Sequence, residues 1–126
     1  MSYNIDTINE FGNLPFVTDD TLADQAARFV QVGADGVVTV AGAGEVADGV
    51  LRNNPVTGEA PAIGMDGFPY VVAGEALSIG DVVASDANGA AVVAAGGAVN
   101  MGKVLEAAAS GEKARIKLYD GSTTTA

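Results

Sequence analysis

The chain has no cysteine, no histidine and no tryptophan, and only six of its 126 residues are basic. Without cysteine and histidine there is no disulfide framework, no thiolate nucleophile, no imidazole base and no Cys/His metal site. No cofactor is expected. The six bases stand against 16 acids, for a formal charge of −10. An acidic surface repels phosphate, so nucleic acid is not an expected partner. The same charge keeps a chain rich in glycine, alanine and valine in solution. Apolar runs long enough to cross a bilayer are missing, so no membrane partner is expected either. The first residues, Met1-Ser2-Tyr3-Asn4-Ile5-Asp6, lack the basic and apolar regions of a signal peptide. The length suits one domain with a modest core.

What the chain does have is glycine, 17 of them, and their spacing repeats. A shift of 53 positions lays residues 34–67 over 87–120. Ala34, Gly36, Val40, Ala41, Gly44, Val46, Gly49, Gly58, Glu59 and Ile63 then meet Ala87, Gly89, Val93, Ala94, Gly97, Val99, Gly102, Gly111, Glu112 and Ile116. A glycine recurs where the backbone must turn or be approached closely, and a valine recurs where a core face needs it. The pattern predicts two similar β-units in an all-β fold, a small β-sandwich or barrel-like body with an extended N-terminal arm.

The expected first unit opens at Phe29-Val30-Gln31-Val32. It turns at Ala34-Asp35-Gly36, where Asp-Gly supplies the positive φ of a hairpin, and returns along Val37-Val38-Thr39-Val40. Short strands follow at 46–51 and 60–65, and Phe68-Pro69-Tyr70 leads into a linking strand near 71–73. The second unit runs through 82–85, a turn at Asn88-Gly89, 90–94, 99–106 and 114–118, with Ala114, Ile116 and Leu118 directed inward. Alanine and leucine also allow a helical turn or two over 103–109. Residues 1–27 read as the arm, with a short helical stretch at 21–27 capped by Thr18 or Asp19; the alternative is an ordinary first strand of the same core. Residues 28–120 form the body and 121–126 a loose tail.

Several motifs are better read as turns. Gly42-Ala43-Gly44-Glu45-Val46-Ala47 follows a strand like a dinucleotide fingerprint, yet Asp48-Gly49 and Asn53-Asn54-Pro55 leave no room for the required helix. Asp86-Ala87-Asn88-Gly89 begins like a calcium loop, but 90–97 brings no further acid. Asp19, Asp20 and Asp24 make a solvated acidic patch. Ser110-Gly111-Glu112-Lys113 matches the S-x-x-K spacing of a serine acyl-enzyme, but its Gly-Glu pair is the corner shared with Gly58-Glu59. Biotinyl and lipoyl carriers also pair β-halves, but they need a lysine at a hairpin tip, where this chain has Asp35-Gly36 and Asn88-Gly89. No enzyme activity is expected.

The glycine and small-residue pattern, from Gly58-Glu59 through Val71-Val72-Ala73-Gly74, Ile79-Gly80-Asp81-Val82-Val83-Ala84-Ser85-Asp86, Gly102-Lys103-Val104-Leu105-Glu106 and Gly111-Glu112-Lys113-Ala114-Arg115-Ile116-Lys117-Leu118, resembles the capsid cement, or head decoration, proteins of tailed bacteriophages. The resemblance covers roughly 30–118. It implies a structural virion protein, made in the host cytoplasm, that sits on the outer capsid surface and stabilises the shell. It also implies the major capsid protein as partner and self-association as a homotrimer, with a dimer as the alternative. On this reading Tyr3, Ile5, Phe11, Leu14 and Phe16 anchor the arm to the capsid, and Phe68, Pro69 and Tyr70 form a subunit or capsid interface. The competing expectation is a glycan- or receptor-binding β-module of a fibre or cell surface, using Phe68 and Tyr70 as platforms. A carboxylate-based hydrolase is a weaker third.

Overall fold

The computed structural model describes residues 17–18, 24–34, 36–55, 61–65, 67–119, 121 and 123–124. Their regular structure is all β: β1 (Val17–Thr18), β2 (Phe29–Val32), β3 (Val37–Val40), β4 (Gly49–Leu51), β5 (Ile63–Gly64), β6 (Tyr70–Val72), β7 (Val82–Ser85), β8 (Ala91–Val93), β9 (Gly102–Glu106) and β10 (Lys113–Leu118). They form two five-stranded sheets, ordered β1-β3-β2-β4-β5 and β6-β10-β9-β7-β8, in a sandwich-like body.

The sequence repeat is also a repeat of strand pairing. Shifted by 53, the order β3-β2-β4-β5 becomes β8-β7-β9-β10. The registers shift with it. Val30 opposite Val40 becomes Val83 opposite Val93. Val30 opposite Gly49 becomes Val83 opposite Gly102. Leu51 opposite Ile63 becomes Val104 opposite Ile116. Both hairpin turns carry a glycine with positive φ, Gly36 (81°) and Gly89 (76°), where a Cβ would be strained. The backbone repeat outruns the sequence: Ala27 (67°) takes the same left-handed conformation as its counterpart Gly80 (95°). Each donates its N–H to the equivalent carbonyl, Leu51 or Val104.

The two units stack back to front. In the second unit Val83, Ala91, Val104 and Ile116 face the main core. Their counterparts in the first unit, Val30, Val38, Leu51 and Ile63, belong to a separate apolar cluster on the other side of that sheet. The first unit meets the main core with its reverse face, through Phe29 and Val50, which are cross-strand partners. Their counterparts Val82 and Lys103 are half-buried and exposed. So the repeats diverge in polarity where one reverse face is covered and the other meets water. Backbone bonds sew the units together: Phe29 N–H to the Gly89 carbonyl (2.8 Å), Gly44 N–H to Ser85 (2.8 Å) and Val72 N–H to Ala27 (2.7 Å).

Two expectations fail. Residues 103–109 are not helical: 102–106 form β9, and Ala108 bridges to Leu77. Pairing on both sides, with β10 and β7, overrides the intrinsic preference of alanine and leucine. The described part of the 21–27 stretch is a turn, because Asp24 (58°) and Ala27 (67°) have a left-handed φ that no right-handed helix accepts. Val17–Thr18, assigned to the arm, pairs in parallel with Val37 and Val38 of β3. As expected, Ala114 and Ile116 point inward and are fully buried, with Leu118 packed against the same cluster.

Candidate functional site

The sequence motifs resolve into turn chemistry. Gly42 to Ala47 forms no helix; Glu45 folds back so that its carboxylate accepts the Gly42 N–H at 2.8 Å. Asp86 Oδ1 accepts the N–H groups of Asn88 (2.7 Å) and Ala90 (2.9 Å), closing the β7–β8 hairpin. Glu112 accepts the Ala109 N–H at 3.1 Å, while Ser110 Oγ donates to the Gly74 carbonyl at 3.4 Å. Ser110 and Glu112 are thus committed to the corner that holds the start of β10. Among the described residues no three His, Cys, Asp or Glu side chains are grouped to hold a metal ion. No helix among them is long and apolar enough to cross a membrane. Asp24 is exposed; Asp19 and Asp20 lie outside the described residues, as do Tyr3, Ile5, Phe11, Leu14 and Phe16.

Phe68, Pro69 and Tyr70 stand at the edge of the second sheet, where they line a groove of about 480 Å³ with Arg52, Lys113 and Arg115. Phe68 and Tyr70 are 59% and 43% exposed. The floor is Ala26, Ala27, Leu51 and Gly64, so the groove straddles the seam between the two units. Its position follows from the topology. β5 and β6 are edge strands of their respective sheets, and β10 lies between β6 and β9. The alternation along β10 sends Lys113, Arg115 and Lys117 to the face opposite Ala114 and Ile116.

The groove is basic on an acidic protein. None of its lining residues is acidic. The Arg115 guanidinium lies over the Tyr70 ring, 4.4 Å from its centroid, a cation–π contact that holds the planar fork in one orientation. Its ion-pair partner Glu106 is 3.8 Å from Nε, too far for a hydrogen bond, and Nε is buried without one. Among the described residues Arg52 and Lys113 form no ion pair. Because Arg115 covers one face of Tyr70, that face is closed to a stacking sugar. A second hollow, also about 480 Å³, is lined by small residues around Gly44, Ser85 and Ala98, and its acid Asp86 is already engaged.

Sequence reasoning picks out the aromatic triplet because its members are adjacent. It misses the cations, which come from residues 52, 113 and 115 and converge only when the units stack. A usable signal was the alternation Lys113-Arg115-Lys117, which puts three bases on one face of one strand.

No protein-family model matches the chain, and no curated protein matches it. Among solved structures, the fold is similar to the N-terminal base of the head fibre protein gp8.5 of bacteriophage phi29, with a TM-score of 0.68. Identity is 18%, and the match covers 83% of this chain and 92% of that one. At this identity the likeness is one of fold.

Proposed function

We propose that the chain is a structural protein of a tailed-phage virion, bound to the outer surface of the head and bracing its shell. The observation that carries this reading is the fold likeness to the base of a phage head fibre, which takes in almost all of that base. The cement-protein pattern of glycines, found from sequence, points the same way. The architecture suits the role. Two stacked units share an apolar core of Phe29, Val71, Val83, Met101, Val104 and Ile116, which gives a stiff body. Many copies on one lattice then hold through avidity. The partners on this reading are the major capsid protein and further copies of the chain, with a homotrimer as the expected assembly. An arm that lays a strand on a neighbour's sheet edge gains backbone hydrogen bonds with little demand on sequence.

Deleting residues 2–16 should leave a folded protein that no longer pellets with heads lacking it. Cosedimentation together with circular dichroism checks this, and undiminished pelleting by the truncated chain would remove the arm from the account.

A further inference from the structure

We infer that the groove along β6 receives an extended acidic segment of another protein, its carboxylates paired with Arg52, Lys113 and Arg115 and its backbone laid against Tyr70. Three observations lead there. First, four of the chain's six bases, Lys103, Lys113, Arg115 and Lys117, sit on β9 and β10, and Lys103 is directly opposite Lys117. Like charges across a ladder are unfavourable. Lys113 and Arg115 of this group line the groove, while Lys103 and Lys117 lie outside its lining, so an anionic segment in the groove meets two of the four.

Second, among the described residues the cations at the groove are unspent. Arg52 and Lys113 have no ion-pair partner among the described residues, and Arg115 has only the long contact to Glu106. Stacking on Tyr70 fixes the guanidinium plane, and with Nε buried the terminal Nη groups are the ones that would make the paired hydrogen bonds a carboxylate accepts.

Third, the edge is open among the described residues. Ile116 donates to Pro69 (3.0 Å) and Ala73 to Glu112 (2.7 Å), so odd-numbered residues of β6 face β10. The even-numbered residues face the groove, as the Val72 N–H shows by bonding Ala27. Tyr70 therefore turns its N–H and C=O into the groove, and neither has a partner among the described residues. A backbone edge with no partner among the described residues, beside cations, fits an extended peptide, whose alternate side chains fall on one face. A polyphosphate or a densely sulfated glycan has no peptide backbone to pair with that edge. The partner chemistry needs only this geometry; the further step, that the acidic segment belongs to a shell subunit, rests on the virion reading.

The test titrates the isotope-labelled full chain with a blocked Asp-Val-Glu-Val-Asp peptide, followed by amide NMR. A lysine-for-acid version of the peptide and a heparin fragment are run in parallel. Expected are shifts centred on residues 68–72 and 113–117 with the acidic peptide alone. Affinity should fall severalfold as salt rises from about 50 to about 300 mM, and about tenfold in Arg115→Ser and Arg52→Ser, at a half-buried and an exposed position respectively, with the amide spectrum of each free variant showing that it is folded. No shifts with the acidic peptide, or saturable binding of the heparin fragment in its place, would overturn the inference. Cosedimentation of Arg52→Glu/Lys113→Glu with heads separates the two readings. Shell binding that persists in this variant rules the groove out as the shell contact. Peptide binding in a wild-type chain that ignores heads would support the groove and sink the virion role.

Discussion

Phe29→Ala should cost about 3–5 kcal/mol, a large part of the 5–15 kcal/mol that holds a domain of this size together. Phe29 is fully buried and is the largest side chain the first unit gives to the main core. Its own N–H is bonded to Gly89 of the second unit. Truncation empties the seam between the units, and neighbours already in β-ladders collapse poorly into the space. The matched control is Val82→Ala, the same position of the second unit. Val82 is only half-buried, and its truncation should cost about 1 kcal/mol. Urea denaturation of both variants, with unchanged m-values, measures the difference. Equal losses at the two sites would refute back-to-front stacking, because a face-to-face sandwich makes repeat-equivalent positions equally buried.

Gly102→Val should be nearly as damaging, at about 3 kcal/mol, the upper end of overpacking. A Cβ at Gly102 would lie 2.8 Å from the Lys117 carbonyl oxygen and 2.8 Å from Ile116 Cδ1. The carbonyl belongs to the adjacent β10, so relief requires strands to part rather than a side chain to rotate. Gly49, its repeat partner, meets the carbonyl of Gly64 and the side chain of Ile63, again one strand over. Gly49→Val should therefore be destabilising too. Thermal unfolding reads both, and a Tm within a degree or two of wild type for either would show that the β4–β5 and β9–β10 approaches are not the reason these glycines repeat.

Most of the fold is legible in the sequence because glycine and valine recur at one period. Phe29–Val32, Val37–Val40 and Val82–Ser85 stand where alternation and the Asp-Gly and Asn-Gly turns place them. Propensity misled at 103–109, where the partner strands rather than the residues decide. How the units stack was partly written in the contrast between Phe29/Val50 and Val82/Lys103, apolar against mixed, but contrast says only that one face is covered and not by what. The groove was half legible. Phe68-Pro69-Tyr70 forms a local cluster, whereas Arg52 and Arg115 are 63 positions apart and meet through tertiary structure alone. The cation–π contact of Arg115 with Tyr70 follows from cross-strand pairing, which no local window reveals.

The central claim is that this stiff double unit serves by gripping a phage head. Its most direct measurement is the temperature at which DNA-filled heads, purified from a mutant lacking the protein, release their genome before and after the purified chain is added back. The account predicts saturable attachment in a fixed number per head and a higher release temperature. Heads that take up none of the chain and open at an unchanged temperature would contradict it.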